Sequence, residues 1–248
     1  MPGHYHLLQK SKYDWQYYLE KTDKASLAMP NGCFWPRGKL LGGSSSINAM
    51  LYVRGNRWDY DQWEALGNKG WKFQNILKYF KKSENNSMAH EDKEFASMHG
   101  TKGPLYVDYF FSYDPIKDML SQSFAEINME FNMDINGESQ MGYGIAQGTI
   151  KSGKRQSTAS AFLAPIKNRK NLHVIKNAQV TKVMITEKGL AEGVHLVING
   201  TKKMIVHSNL EVILSAGAIG SPHILLNSGV GPKEQLKQFK IPLKKDLP

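Results

Sequence analysis

Two stretches of this sequence combine residue types and spacings suited to holding an electron-rich ligand. The first is Trp35-Pro36-Arg37-Gly38-Lys39-Leu40-Leu41-Gly42-Gly43-Ser44-Ser45-Ser46-Ile47-Asn48-Ala49-Met50-Leu51-Tyr52-Val53-Arg54-Gly55. Glycines at 42 and 43 let the backbone approach another group closely. The serines add hydroxyls and N–H groups, and a helix starting near Ser45 or Ser46 would turn its positive end toward a phosphate. Asn48 carries both a donor and an acceptor, which suits a polar heterocycle. A glycine-rich loop ahead of an unrelated helix would look the same. The stretch is neither a Walker loop nor a GxGxxG fingerprint.

The second stretch is Ser215-Ala216-Gly217-Ala218-Ile219-Gly220-Ser221-Pro222-His223-Ile224-Leu225-Leu226-Asn227-Ser228-Gly229-Val230-Gly231. A buried strand that ends in small residues before a helix N-terminus is where α/β folds place ligands. Close packing of strand on helix would need the same small residues. His223 is expected to be structural, at a buried turn, and His99 to be a loop residue. The remaining histidines show no partner pattern, and no residue set is assigned to a metal.

The elements around these stretches follow from periodicity. Residues 1–30 are predicted helical or irregular, with Tyr13, Trp15, Tyr17 and Tyr18 packing. A helix is predicted to start near Ser45 or Ser46 and to carry Ile47, Met50 and Leu51. Residues 58–83 have helical spacing at Phe73, Ile76, Leu77 and Phe80. Residues 84–103 are predicted to be an exposed loop, Leu105–Phe111 a strand, 115–130 a helix, and 158–168 a short helix ending near Pro165. Leu172–Ile175 and Val180–Ile185 are predicted strands. Val194–Ile198 and Met204–Val206 flank Asn199-Gly200, a strong hairpin signal. Glu211–Ser215 is predicted to be a strand buried on both faces, followed by a tight turn at 216–220. Ser221 would cap a helix with Pro222 at its first position, and Gly229 would end it. The fold class is α/β, with α+β character.

Composition narrows the function. The chain has 248 residues, 41% hydrophobic and 22% charged, with a net charge of +10. The basic groups Lys151/Lys154/Arg155 and Lys167/Arg169/Lys170 are short and interrupted, so no nucleic-acid partner is expected. Cys33 is the only cysteine, which excludes an intramolecular disulfide and a multi-cysteine metal site. No stretch approaches the ~20 apolar residues of a membrane span, and no apolar core of signal-peptide length opens the sequence. Localisation is left open.

Taken together, the two stretches resemble both signature motifs of the glucose–methanol–choline (GMC) oxidoreductases. The first match runs from Gly38 through Gly42-Gly43-Ser44-Ser45, Ile47-Asn48 and Tyr52 to Gly55. The second runs from Gly217 through Ser221-Pro222, Ile224-Leu225 and Ser228-Gly229 to Gly231. Tyr13-Asp14-Trp15-Gln16-Tyr17, His99-Gly100-Thr101, Gly103-Pro104-Leu105, Gly153-Lys154-Arg155, Ser157-Thr158-Ala159 and Phe162-Leu163 also fit the family, closest to its insect glucose-dehydrogenase-like members.

The resemblance implies an FAD-dependent enzyme that oxidises a small alcohol or sugar. A base takes the hydroxyl proton and flavin N5 the hydride. It implies that Arg37, Leu40, Leu41, Gly42, Gly43, Ser44 and Ser45 line the FAD near its diphosphate and flavin. Asn48, Ala49, Met50 and Leu51 would lie along the flavin. Val180 would hold the adenine through its backbone, and Ala216 and Gly217 would sit beside the ADP portion. It also implies a division into a partial FAD-binding region (1–75), a partial substrate-binding region (76–165) and a continuation of an incomplete Rossmann-like FAD domain (166–248).

The family's GxGxxG unit is absent from this sequence, and its catalytic His pair would lie beyond Pro248, so no catalytic residue is assigned. A sheet missing strands would leave an open edge and bare apolar faces. The expected activity is that of a truncated enzyme, inactive alone. A non-catalytic module that keeps the scaffold is the alternative. Substrate, electron acceptor and the choice between oxidase and dehydrogenase are not legible.

Overall fold

The computed structural model describes residues 2–110 and 115–248. The chain forms two compact units, the first ending at Arg169 and the second spanning Lys170–Pro248.

In the first unit, a 3-10 turn at Pro2–Leu8 leads to β1 (Tyr17–Tyr18), which pairs antiparallel with β2 (Phe34–Trp35). Asp14 fixes this start. Its buried carboxylate accepts the backbone N–H groups of Lys10, Gln16 and Arg37 at 2.9, 3.0 and 2.9 Å. Burial alone would raise its pKa, but these N–H donors and the charge of Arg37 outweigh it and hold it below the ordinary value. Trp15 and Tyr17 stack on each other with ring centres 6.1 Å apart, while Tyr13, Trp15 and Tyr18 stay exposed.

The helix expected over 58–83 is two helices, α1 (Arg57–Ala65) and α2 (Phe73–Ser83). Gly67 and Gly70 break it with φ of 102° and 90°, values that no right-handed helix contains. Asn56 caps α1 by accepting the Trp58 N–H at 2.9 Å, while Asp59 returns to the Asn56 N–H at 3.1 Å. Phe73 and Ile76 of α2 are buried.

Residues 84–103 are not the exposed loop expected. β3 (Glu84–Asn86) runs parallel to β4 (Leu105–Val107), and α3 (Lys93–Met98), capped by Asp92, buries Phe95 and Met98 between them in sequence. Gly100 and Gly103 lie so close to the backbone of Lys81–Glu84 that a Cβ at either would collide with it. The absence of side chains there draws the segment inward. β4 is shorter than the strand expected, whose end at Phe111 lies outside the described residues. α4 (Pro115–Glu126) forms but ends at Glu126 rather than 130, with Ile116, Met119 and Leu120 exposed.

β5 (Ile150–Lys151) and β6 (Lys154–Arg155) make a two-residue hairpin in which Ser152 and Gly153 take φ of 47° and 71°, the left-handed pair that matches strand twist. The helix expected at 158–168 is a π-type turn at Ala159–Leu163 followed by a 3-10 turn at Ala164–Ile166.

The second unit is built on an antiparallel sheet in the order β7 (Ala178–Ile185), β8 (Ala191–Ile198), β9 (Lys202–His207). The Asn199-Gly200 turn forms as expected, with φ of 50° and 73° and the Thr201 N–H donating to the Ile198 carbonyl at 3.1 Å. Leu172–Ile175 is irregular rather than a strand.

The buried strand expected at Glu211–Ser215 is also absent. No strand among the described residues pairs with it, and an extended run without ladder partners satisfies its backbone in water. Leu210 and Ile213 are 96% and 75% exposed.

α5 (Gly217–Asn227) begins ahead of the expected Ser221 cap and takes in both the expected turn and Pro222. Ser221 instead accepts the Ala216 N–H at 3.0 Å through its Oγ. Gly229, with φ of 87°, follows the helix end as expected. α5 packs on β7, where Ser228 Oγ accepts the buried Val183 N–H at 2.8 Å. β10 (Val230–Gly231) pairs in parallel with β11 (Lys245–Asp246) around α6 (Lys233–Gln238). Val183, Leu196, Ile224 and Leu236 form this unit's core.

Candidate functional site

The glycine–serine stretch is a bend rather than the start of a helix. A 3-10 turn at Gly43–Ser46 ends at Ile47, and Gly42, Gly43 and Met50 take φ of 91°, 53° and 67°. The left-handed Met50 rules out the expected helix carrying Ile47, Met50 and Leu51. Ile47 and Met50 still reach the core, while Leu51 is exposed.

The bend closes on itself through Gly38. Its N–H donates to Ser44 Oγ at 3.2 Å, and a Cβ there would collide with the Gly43 carbonyl. Gly43 is the opposite case, with nothing within 4 Å of where its Cβ would stand. Its glycine answers to conformation alone, and it leaves the backbone bare on the outside.

The side chains divide into those that build the bend and those that face outward. Ser45 builds it: its hydroxyl donates to the Gly42 carbonyl at 2.5 Å and accepts the Thr158 N–H at 2.9 Å. Thr158 Oγ1 also donates to the Gly42 carbonyl, at 3.2 Å. Leu40 contributes its carbonyl, which accepts the Gly43 N–H at 2.9 Å. Arg37 donates to the Pro36 carbonyl at 2.7 Å and lies over the Trp35 ring. Leu41, Ser44, Asn48, Ala49 and Leu51 are exposed, and the Met50 side chain is buried.

Arg155 completes this region, although its spacing in sequence gives no sign of it. One guanidinium nitrogen donates to Asn48 Oδ1 at 2.8 Å and to the Ser45 carbonyl at 3.1 Å. The backbone delivers it there. The Thr149 N–H donates to the Met50 carbonyl at 2.8 Å and the Tyr52 N–H to the Gln147 carbonyl at 2.9 Å, and the β5–β6 turn then folds Arg155 back. Burial lowers the pKa of Arg155, which leaves a guanidinium charged near neutrality.

In the second unit, Ala216 and Gly217 are exposed at the start of α5. Gly217 has φ of 84° and nothing within 4 Å of a Cβ position, the same bare-backbone condition as Gly43. Val180 is half-buried on the edge strand β7, where a register shift between Val180 and Lys182 marks a bulge. His223 is exposed on α5 beside Asn227 rather than at a buried turn.

The largest departure from expectation is a buried ionic network in the first unit. His99 is only 2% exposed. Its Nδ1 meets Glu84 Oε1 at 2.8 Å and its Nε2 meets Asp134 Oδ2 at 2.9 Å. Arg54 is paired with Glu84 and donates to the Met98 carbonyl at 2.8 Å. Asn86 donates to Glu84 at 3.1 Å and to Gln147 at 2.8 Å.

Burial alone would lower the His99 pKa, but its hydrogen bonds to Asp134 and Glu84 outweigh that and raise it. Burial alone would raise the Glu84 pKa, but the hydrogen bond from His99 and the charge of Arg54 bring it below the ordinary value. The cluster is therefore fully bonded, and its contacts favour the charged forms of Glu84 and His99. The tight glycines at 100 and 103, next to His99, were the sequence signal that it is not in an ordinary loop.

A family model described as GMC oxidoreductase matches residues 16–246. The chain is 42% identical over 242 residues to glucose dehydrogenase [FAD, quinone] of Drosophila melanogaster, covering 96% of this chain and 38% of that protein. It is 41% identical to alcohol dehydrogenase [acceptor] of Pseudomonas putida, covering 87% of this chain and 38% of that protein. Among solved structures, pyridoxine 4-oxidase from Mesorbium loti superposes with a TM-score of 0.88 at 26% identity, over 100% of this chain and 47% of that one. The chain thus spans less than half the length of each of these relatives.

Proposed function

The chain belongs to the GMC oxidoreductase family, and on that premise we propose that it supplies part of the FAD site of an oxidoreductase acting on CH–OH groups of small alcohols or sugars. The residues present fit such a group. Gly43 and Gly217 each combine positive φ with an unobstructed outer side, which leaves room for a cofactor to approach the backbone closely. The bare backbone at the bend, held from behind by Ser45, Thr158 and Gly38, is the observation that carries the reading.

In this reading Gly42, Gly43 and Ser44 approach the cofactor with backbone and hydroxyl. Arg37, Leu40 and Ser45 shape the bend. Asn48 presents its amide, and the exposed Leu41, Ala49 and Leu51 offer apolar surface that displaces water from a ring, while Met50 anchors the segment in the core. In the second unit Val180 offers edge-strand backbone, and Ala216 and Gly217 offer the exposed start of α5. FAD, when bound, supplies hydride acceptance from the donor carbon.

Alone, the chain holds FAD weakly and does not turn over alcohol. The 211–215 run, which pairs with no strand among the described residues and leaves Ile213 exposed, supports this, because a cofactor platform needs that segment ordered in a sheet. The purified chain is titrated with FAD, following flavin fluorescence and absorbance, and assayed for alcohol-dependent dye reduction. The expected result is a colourless protein with weak, saturable FAD binding and no turnover. Stoichiometric FAD on the purified chain, or turnover, overturns the inactivity. Absence of any saturable binding overturns the cofactor site.

A further inference from the structure

Asn48 sits at the front of the bend with its amide in a defined state. Oδ1 accepts two donors, the Arg155 guanidinium at 2.8 Å and the Met50 N–H at 3.0 Å. Both neighbours are donors only, so the oxygen must be the atom turned toward them. The amide nitrogen is left facing outward, and Asn48 is exposed, with no partner for Nδ2 among the described residues. Arg155 in turn has no carboxylate partner among the described residues, so its charge stays behind the amide. A guanidinium that donates to an amide oxygen polarises the amide and strengthens its N–H groups as donors.

We propose that Arg155 is a positioning residue that fixes Asn48 as a hydrogen-bond donor only, so that the bend offers the cofactor's ring a donor and selects a ring edge that accepts. The proposal rests on the FAD reading of the bend. It assigns Arg155 no contact with the cofactor. Because a single guanidinium nitrogen makes both the Asn48 and the Ser45 bonds, a lysine amine can replace it. An aspartate at 48 would pair with Arg155 and turn an acceptor, rather than a donor, toward the ring.

Two measurements on the 248-residue chain test this separately. The first uses no FAD. Urea unfolding of Arg155→Ala, Asn48→Ala and the double variant is expected to show strong non-additivity, with Arg155→Lys close to wild type. Additive effects overturn the Arg155–Asn48 link, whatever the cofactor does. The second is FAD titration. Asn48→Asp is expected to bind about tenfold more weakly than wild type, as loss of a charge-polarised hydrogen bond dictates, while its unfolding midpoint is unchanged or raised. Arg155→Ala is expected to weaken FAD, and Arg155→Lys to restore it. Asn48→Asp binding as tightly as wild type overturns the donor assignment. If wild type shows no FAD binding while the cycle is non-additive, the positioning stands and the FAD reading falls.

Discussion

The Arg54–Glu84–His99–Asp134 cluster shows how much one buried residue can carry. Removing Glu84 leaves the buried Arg54 guanidinium without its carboxylate and His99 with Asp134 alone, a loss of the kind that costs about 3–5 kcal/mol. Glu84→Ala is expected to destabilise the chain by that order, measured by urea unfolding. The pH dependence follows from the two shifts. Glu84 is held below its ordinary 4.5, so its contribution is complete above that value and is lost as pH falls through the folded pKa. His99 is raised above its ordinary 6.5, so its contribution is complete below that value and is lost as pH rises through the folded pKa. The network contributes most between these ordinary values. In Glu84→Ala the difference from wild type should therefore shrink toward both acid and alkaline pH. A pH-independent difference would show that the cluster is not ionised as described. Apart from the glycines that follow His99, none of this was legible beforehand, because its bonded pairs are 15, 30 and 35 positions apart along the chain and only the fold brings them together.

Elements were legible where the local chemistry decided them. Asn199-Gly200 made its hairpin, Gly229 followed its helix end, and the amphipathic face of α2 formed. They were misread where backbone contacts decide. The segment at 84–103 turns inward because Gly100 and Gly103 abut other backbone, and the bend at 42–50 replaces a helix because Met50 goes left-handed. Gly38 is of the same kind. Gly38→Ala would force the Gly43–Ser44 peptide away. The expected outcome is loss of more than about 1 kcal/mol of stability, with weakened FAD binding. Gly153→Ala, where only φ is strained, should cost about 1 kcal/mol and spare the bend. Equal effects of the two on FAD titration would refute the close-approach account.

At the scale of the molecule, the two units meet in sequence at an exposed, basic run containing Lys167, Arg169 and Lys170. Trypsin at low ratio is expected to cut first within this run, giving fragments whose masses place the cleavage there. First cuts inside β7–β9 would contradict the division. The overall α/β character and the family were legible from the two signature stretches, since their glycines and serines are fixed by local geometry. The buried strand expected at 211–215 was not, because a strand exists only with neighbours to bond. Among the described residues nothing pairs with the outer margins of β7 and β9, and β9 begins with Lys202 and Lys203, both exposed. Lysine charge on that margin, in a protein of net charge +10, repels an approaching second copy and so keeps molecules from zipping into ribbons. Concentrated salt shortens that repulsion to about 3 Å at 1 M, so the protein should keep best in dilute buffer and cloud as electrolyte is added.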